Sequence, residues 1–204
     1  ENTFFQMREN PYMDEIYSRG FMTDLSKVRR NETSPLVYHK TFNYGDCVLE
    51  KRAAAAAGIN EKIFINTKGQ ISEGTVCNVF FVRKNMIYTP QLSCGLLPGI
   101  LREYIMERFQ VTETIIYPDE LMYYEECFVT NSLMGVMPVR QLGNICFPHR
   151  AKADEVREVY EKEKMSLAQM MIEEKEPVDK ISKYTGYAID KLKEIAAAMG
   201  QTLV

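Results

Sequence analysis

Residues 61–90 read EKIFINTKGQISEGTVCNVFFVRKNMIYTP. Runs rich in β-branched and aromatic residues, at 63–66, 76–82 and 86–89, alternate with the turn dipeptides Lys68-Gly69 and Lys84-Asn85. That alternation predicts a meander of β-hairpins. Before it, Asp46 to Ala57 is composed of strong helix formers and is followed by Gly58, a natural helix terminator. The five alanines at 53–57 predict close helix packing. After it, GILREYIMERF at 99–109 predicts an amphipathic helix entered through Pro98-Gly99, with Ile100, Leu101, Tyr104, Ile105 and Phe109 on one side.

Further out the signals are simpler. Residues 111–117 read as a strand and DELMYYEE at 119–126 as a short helix; CFVTNSL and VMPVRQL read as strands around Met134-Gly135. Residues 1–37, broken by Pro11, Gly20 and Pro35, read as a strand or two with loops. From Ala151 onward the pattern is helical, with three helices expected at roughly 152–175, 178–184 and 188–199. Two domains follow from this, one over 1–150 and a helical extension over 151–204.

Composition bounds the function. The chain of 204 residues carries 25 basic and 28 acidic side chains, and neither half has a basic excess. Attraction to nucleic acid or to anionic lipid through bulk charge is therefore not expected. The longest uncharged stretch, Asn85 to Leu101, is broken by Pro90, Gly95, Pro98 and Gly99, so no membrane-spanning helix is expected. Residues 1–20 are polar and charged and do not read as a signal peptide. Five cysteines (47, 77, 94, 127 and 146) form an odd set without CxxC spacing. A reduced, cytoplasmic chain without a structural metal is the expectation. The chain begins at Glu1, which reads as processing or as a piece of something longer.

Four features bear on chemistry. Lys40, in VYHKTFNY, is either a surface lysine or an amine in a dry pocket, where desolvation would lower its pKa and make it nucleophilic. Glu73 is a carboxylate entering a β-strand beside Gly74, and its plain reading is a turn residue. Leu97-Pro98-Gly99-Ile100-Leu101 opens a helix whose free N–H groups could hold an anion. Thr130-Asn131-Ser132 ends a strand with three hydrogen-bonding side chains. Together they supply what pyridoxal 5′-phosphate requires: an amine, a carboxylate for the pyridine nitrogen, and a phosphate cradle.

In the motifs HKTFNY, GQISEGTVCNVF, LLPGILR and TNSLMGVMPV, from about residue 10 to 147, the chain resembles the class IV (fold type IV) pyridoxal-phosphate enzymes. The resemblance implies an α/β fold with an α+β-like mixed sheet. It implies the large domain of the D-amino-acid aminotransferase-like fold, a pseudo-barrel of strands with flanking helices, here followed by a helical tail. It implies that Lys40 is the Schiff-base lysine and proton shuttle and that Glu73 pairs with the pyridine nitrogen. Ile100 and Leu101 would give backbone amides to the phosphate and Ser132 its hydroxyl, although the family commonly has threonine where Leu101 stands. Tyr44 would reach the phenolic oxygen, and Asn131 and Leu133 would line the substrate side. Within the family, TNSLMGVMPV looks closest to 4-amino-4-deoxychorismate lyase, which releases pyruvate to give 4-aminobenzoate for folate synthesis. A branched-chain or D-amino-acid aminotransferase using 2-oxoglutarate stays open, as does a non-catalytic large-domain fragment whose tail binds a partner or DNA. The resemblance also implies a homodimer, a small-molecule substrate and no membrane partner. The resemblance also implies a small N-terminal domain with a phosphate-binding arginine, which is expected to be missing from this sequence.

Overall fold

The computed structural model describes residues 10–12 and 14–203; the reading of residues 1–9 lies outside them. In chain order the elements are α1 (Asp14–Arg19), β1 (Phe21–Arg30), α2 (Gly45–Ala56), β2 (Glu61–Asn66), β3 (Ile71–Gly74), β4 (Asn78–Arg83), β5 (Met86–Pro90), α3 (Ile100–Arg108), β6 (Val111–Thr114), β7 (Glu126–Asn131), β8 (Gly135–Leu142), β9 (Ile145–Cys146), α4 (Ala151–Glu173), α5 (Val178–Thr185) and α6 (Ile189–Ala198). Short 3-10 turns lie at Pro35–Tyr38, Leu92–Cys94 and Pro118–Tyr123. The last of these replaces the α-helix expected at 119–126. The chain divides into two compact units, Glu1–Ala153 and Asp154–Val204.

In the first unit all the strands join one mixed sheet, ordered β3-β2-β1-β8-β7-β4-β5-β6, with β9 on β8. The stretch 61–90 does form hairpins, but they are not neighbours. β2 and β3 pair antiparallel at one end of the sheet, and β4 and β5 near the other. The central strand β1 pairs parallel with both β2 and β8. The expected meander is thus corrected: three strands drawn from distant parts of the chain separate its two halves. The β4–β5 turn is tight because Lys84 and Asn85 both take positive φ, 50° and 64°, as a type I′ turn requires.

The sheet curls until its two edges meet. Ile71, on edge strand β3, donates its N–H to the carbonyl of Ile116 just beyond β6, at 2.8 Å. The enclosed core explains the curl: Phe21, Ile63, Ile71, Val79, Phe81, Val129, Met137 and Val139 come from six strands and form one buried cluster. Alternate residues point the other way, so Phe80 stacks on Phe128 at 4.9 Å on the opposite face. On α3 the buried residues are Leu101, Arg102 and Ile105, whereas Ile100 is 78% exposed and leaves the expected apolar side. Arg102 can be buried because its guanidinium reaches Glu113 and the carbonyl of Pro90. Of the five alanines only Ala54 is buried, so the close packing expected of the whole run is confined to one position.

The second unit has its own core of Ala168, Met171, Ile172, Ile181, Leu192, Ile195 and Ala196. Gly186, at φ 70°, terminates α5. The α5–α6 turn is held by Ser182, whose hydroxyl donates to the Tyr187 carbonyl, and by Thr185, whose hydroxyl donates to Ile181. Ile181 is buried, but Tyr184 and Ile189 from the same expected apolar spacing are exposed.

Candidate functional site

Glu73 is not a turn residue. It lies on β3, only 5% exposed, and its two oxygens are held by different elements. Oε1 accepts from Nη2 of Arg30, the last residue of β1, at 2.5 Å. Oε2 accepts the N–H of Leu97, in the loop leading into α3, at 3.0 Å. Arg30 in turn donates through Nη1 to Asp46 at 2.8 Å and to Cys47 Sγ at 3.4 Å, both in the first turn of α2. Its guanidinium lies 5.1 Å from the centre of the Phe64 ring. One buried cation therefore ties β1, β3 and α2 around a single carboxylate.

Burial pushes Glu73 up to about 7, while Arg30 and the Leu97 N–H pull the other way. Burial also works against the Arg30 charge, but Glu73, Cys47 and Asp46 outweigh it and hold the guanidinium above its ordinary value. The same burial lifts the Cys47 thiol to about 11, opposed by Arg30. The neutral thiol and the buried pair make this a dry, polarised corner of the barrel.

The loop before α3 is drawn tight. Asn78, at the start of β4, donates its side-chain amide to the Leu97 carbonyl at 2.9 Å. A Cβ on Gly99 would fall 2.2 Å from Asn78 Oδ1, so this close approach requires glycine. Gly95, at φ 86°, is equally constrained by Glu32, whose Cα would lie 2.7 Å from an added Cβ. Gly99 is the N-cap of α3 and offers no side-chain oxygen to the helix. The first N–H groups of α3, at Ile100 and Leu101, are thus left for an external acceptor. Thr130, the register partner of Asn78 on β7, has a buried hydroxyl without a hydrogen-bond partner among the described residues. A buried carboxylate, an uncapped helix start and an orphaned hydroxyl fit the donor and acceptor set of a phosphorylated pyridine.

The other expected site residues are distributed as follows. Lys40 is exposed, between the Pro35–Tyr38 turn and α2, beside Phe42 at 97% exposure. Tyr44 is the N-cap of α2 and shares with Cys47, Val48, Lys51, Arg52 and Val76 an open groove of about 320 Å³. Asn131 donates to the Val76 carbonyl at 3.1 Å and accepts from Leu133 and Met134, so its amide fastens the β7–β8 turn to the loop after Glu73. Ser132 and Leu133 stand exposed in that turn. The structure thus joins Glu73 to the α3 loop, and Asn131 to the segment that follows Glu73. Among the described residues no hydrogen bond links Lys40 to either group. Arg30, Asp46 and Asn78 carry the local geometry without having been assigned roles. Arg30 ends a strand 43 residues from Glu73, a pairing no local pattern encodes. Asn78 stands in the quoted GTVCNVF motif, which was the available signal.

Among the described residues no helix is long and apolar enough to cross a membrane, and no cluster of His, Cys, Asp and Glu could hold a metal ion. All five cysteines are free.

The curled mixed sheet superposes on a branched-chain aminotransferase from Escherichia coli with a TM-score of 0.66 at 24% identity, over 70% of this chain and 51% of that one. The chain belongs to the amino-transferase class IV family, whose model matches residues 3–142. It is 32% identical over 136 residues to a candidate branched-chain-amino-acid aminotransferase of Thermotoga maritima, covering 63% of this chain and 48% of that one. A candidate 4-amino-4-deoxychorismate lyase of Legionella pneumophila superposes with a TM-score of 0.67 at 28% identity, over 70% and 56% of the two chains. The chain thus spans about half the length of these relatives. A branched-chain aminotransferase of Thermobaculum terrenum in its pyridoxal-phosphate form matches at 26% identity and a TM-score of 0.62, covering 69% of this chain and 50% of that one.

Proposed function

We propose that this chain carries the cofactor-binding large domain of a pyridoxal-phosphate lyase that releases pyruvate from 4-amino-4-deoxychorismate and leaves 4-aminobenzoate. The observation that carries the cofactor reading is the Leu97 peptide, whose N–H is bound by Glu73 immediately before the uncapped start of α3. It brings the group suited to a pyridinium nitrogen next to the group suited to a phosphate. Glu73 would hold the nitrogen, Ile100, Leu101 and Ser132 the phosphate, Tyr44 the phenolic oxygen, and Lys40 the aldehyde. When bound, the cofactor supplies an electron sink for the carbon that loses a proton. Lys40 carries that proton on Nζ, and Arg30 holds the Glu73 carboxylate in place. The lyase branch is favoured by Asn131 before Ser132 in TNSLMGVMPV and by the likeness to the Legionella protein.

A second reading, amino transfer from branched-chain or D-amino acids to 2-oxoglutarate, is favoured by the relatives named as branched-chain aminotransferases. It uses the same residues and differs in needing an amino acceptor. Borohydride treatment of the cofactor-loaded chain is expected to bleach a visible band and leave an adduct on the peptide containing Lys40. An adduct elsewhere overturns the assignment. Pyruvate released without an acceptor supports the lyase; strict dependence on 2-oxoglutarate replaces it with the transferase.

A further inference from the structure

Asn78 has no assigned part in the reading above, yet it is almost fully buried beneath the start of α3. Its backbone is anchored in the β4–β7 ladder opposite Thr130. Its side chain donates to the Leu97 carbonyl at 2.9 Å, while the N–H of the same residue, Leu97, is bound by Glu73 at 3.0 Å. Leu97 is therefore pinned at both polar groups by side chains from two strands. Three residues later the free N–H groups of α3 begin. The amide oxygen of Asn78 also lies where a Gly99 side chain would have to go, 2.2 Å from an ideal Cβ, so Asn78 closes the loop from below.

We propose that Asn78 is a positioning residue for the phosphate cradle. Through Leu97 and Gly99 it fixes the direction in which the Ile100 and Leu101 N–H groups point, without touching the ligand. The inference rests on the cofactor reading and goes beyond it, because it separates recognition of the phosphate from recognition of the ring. Removing the Asn78 donor leaves the half-buried Leu97 carbonyl without this partner and frees the loop to turn about its remaining Glu73 contact. Glu73, which meets the ring, keeps its bond to Arg30, and Lys40 lies outside this loop.

The test compares pyridoxal 5′-phosphate with pyridoxal, which has the same ring and aldehyde but no phosphate, by titrating each into the intact chain and following the visible band. Asn78→Leu keeps the side-chain shape and removes the amide. Its apparent affinity for pyridoxal phosphate is expected to fall about tenfold or more, and that for pyridoxal to stay within about twofold. Gly99→Ala, which drives a methyl into Oδ1, is expected to show the same selectivity. The Asn78→Ala/Gly99→Ala double variant should lose less than the product of the losses of Asn78→Ala and Gly99→Ala, because the first change removes the atom that the new methyl meets. Equal losses for both ligands, or none, overturn the proposal. If Asn78→Leu fails to unfold cooperatively, the Gly99→Ala selectivity decides in the same way. No band in the unsubstituted chain overturns the cofactor reading, and this proposal with it; a band there with unselective variants overturns this proposal alone.

Discussion

The two units treat charge in opposite ways. In the barrel unit, three ion pairs have a buried partner and join different elements: Arg30 with Glu73, Lys51 with Glu61, and Arg102 with Glu113. Glu126 likewise accepts the N–H groups of Lys152 and Ala153. In the helical unit the pairs are local: Lys164 with Glu161 and Lys191 with Glu194 at three residues, and Lys180 with Glu176 at four. The Lys191–Glu194 pair lies on a solvated face, whereas Lys164 and Glu161 also contact Tyr187. A buried pair must be excellently placed to offset its desolvation, and it fixes distant strands in register when it is. The contrast marks the barrel as the unit that organises polar chemistry.

The largest effect expected from this contrast is at Arg30. Arg30→Met preserves much of the stem but leaves Glu73 buried without its cation. Breaking such a pair typically costs about 3–5 kcal/mol. Urea unfolding monitored on the intact chain should show a loss of that order, and the Glu73 carboxyl should titrate higher still. A loss below about 1 kcal/mol would mean that Asp46 and Cys47, and not Glu73, are what Arg30 serves.

The pH dependence of stability gives a smaller effect. Burial raises Glu73 from 4.5 to about 7. Between these values the unfolded chain has released a proton that the folded chain still binds, so this residue's contribution to stability falls as pH rises through the window. The stability of the unsubstituted chain relative to Glu73→Gln should therefore drop by about 1–3 kcal/mol from pH 4.5 to 7 and change little above that. A difference that rises over this window would mean that Arg30 dominates and the carboxyl titrates below its unfolded value.

The same contrast explains how much could be read in advance. The β4–β5 hairpin, the helix at 99–109 and the three C-terminal helices are encoded by local periodicity and turn residues, and they form where that periodicity places them. Strand order is not local: β1 lies between β2 and β8 because the curled core needs Phe21 beside Ile63 and Val139. The strand Ile71–Gly74 was hidden because ISEG is short and half polar, and it is held by pairing with β2 and by the bond to Ile116. Glu73 and the α3 loop were legible as motif residues. The roles of Arg30 and Asn78 were not, since they exist only after Arg30 has met Glu73, 43 residues on, and Asn78 has met Leu97, 19 residues on. Ile100 and Arg102 exchanged their expected places because a guanidinium with two fixed acceptors can be buried, while an apolar side chain at a helix mouth can be left out.

The smallest effect belongs to the helical unit. Lys191 and Glu194 are 2.9 Å apart on α6, with half or more of each side chain exposed. Solvent screening and side-chain entropy reduce such i,i+3 pairs to about 0.2–0.5 kcal/mol. A double-mutant cycle of Lys191→Ala and Glu194→Ala should give a coupling in that range, and added salt should weaken it further. Both alanines are good helix formers, so propensity contributes little to the single-variant terms. A coupling above about 1.5 kcal/mol would show that this pair is shielded as the barrel pairs are, and would remove the distinction between the two units.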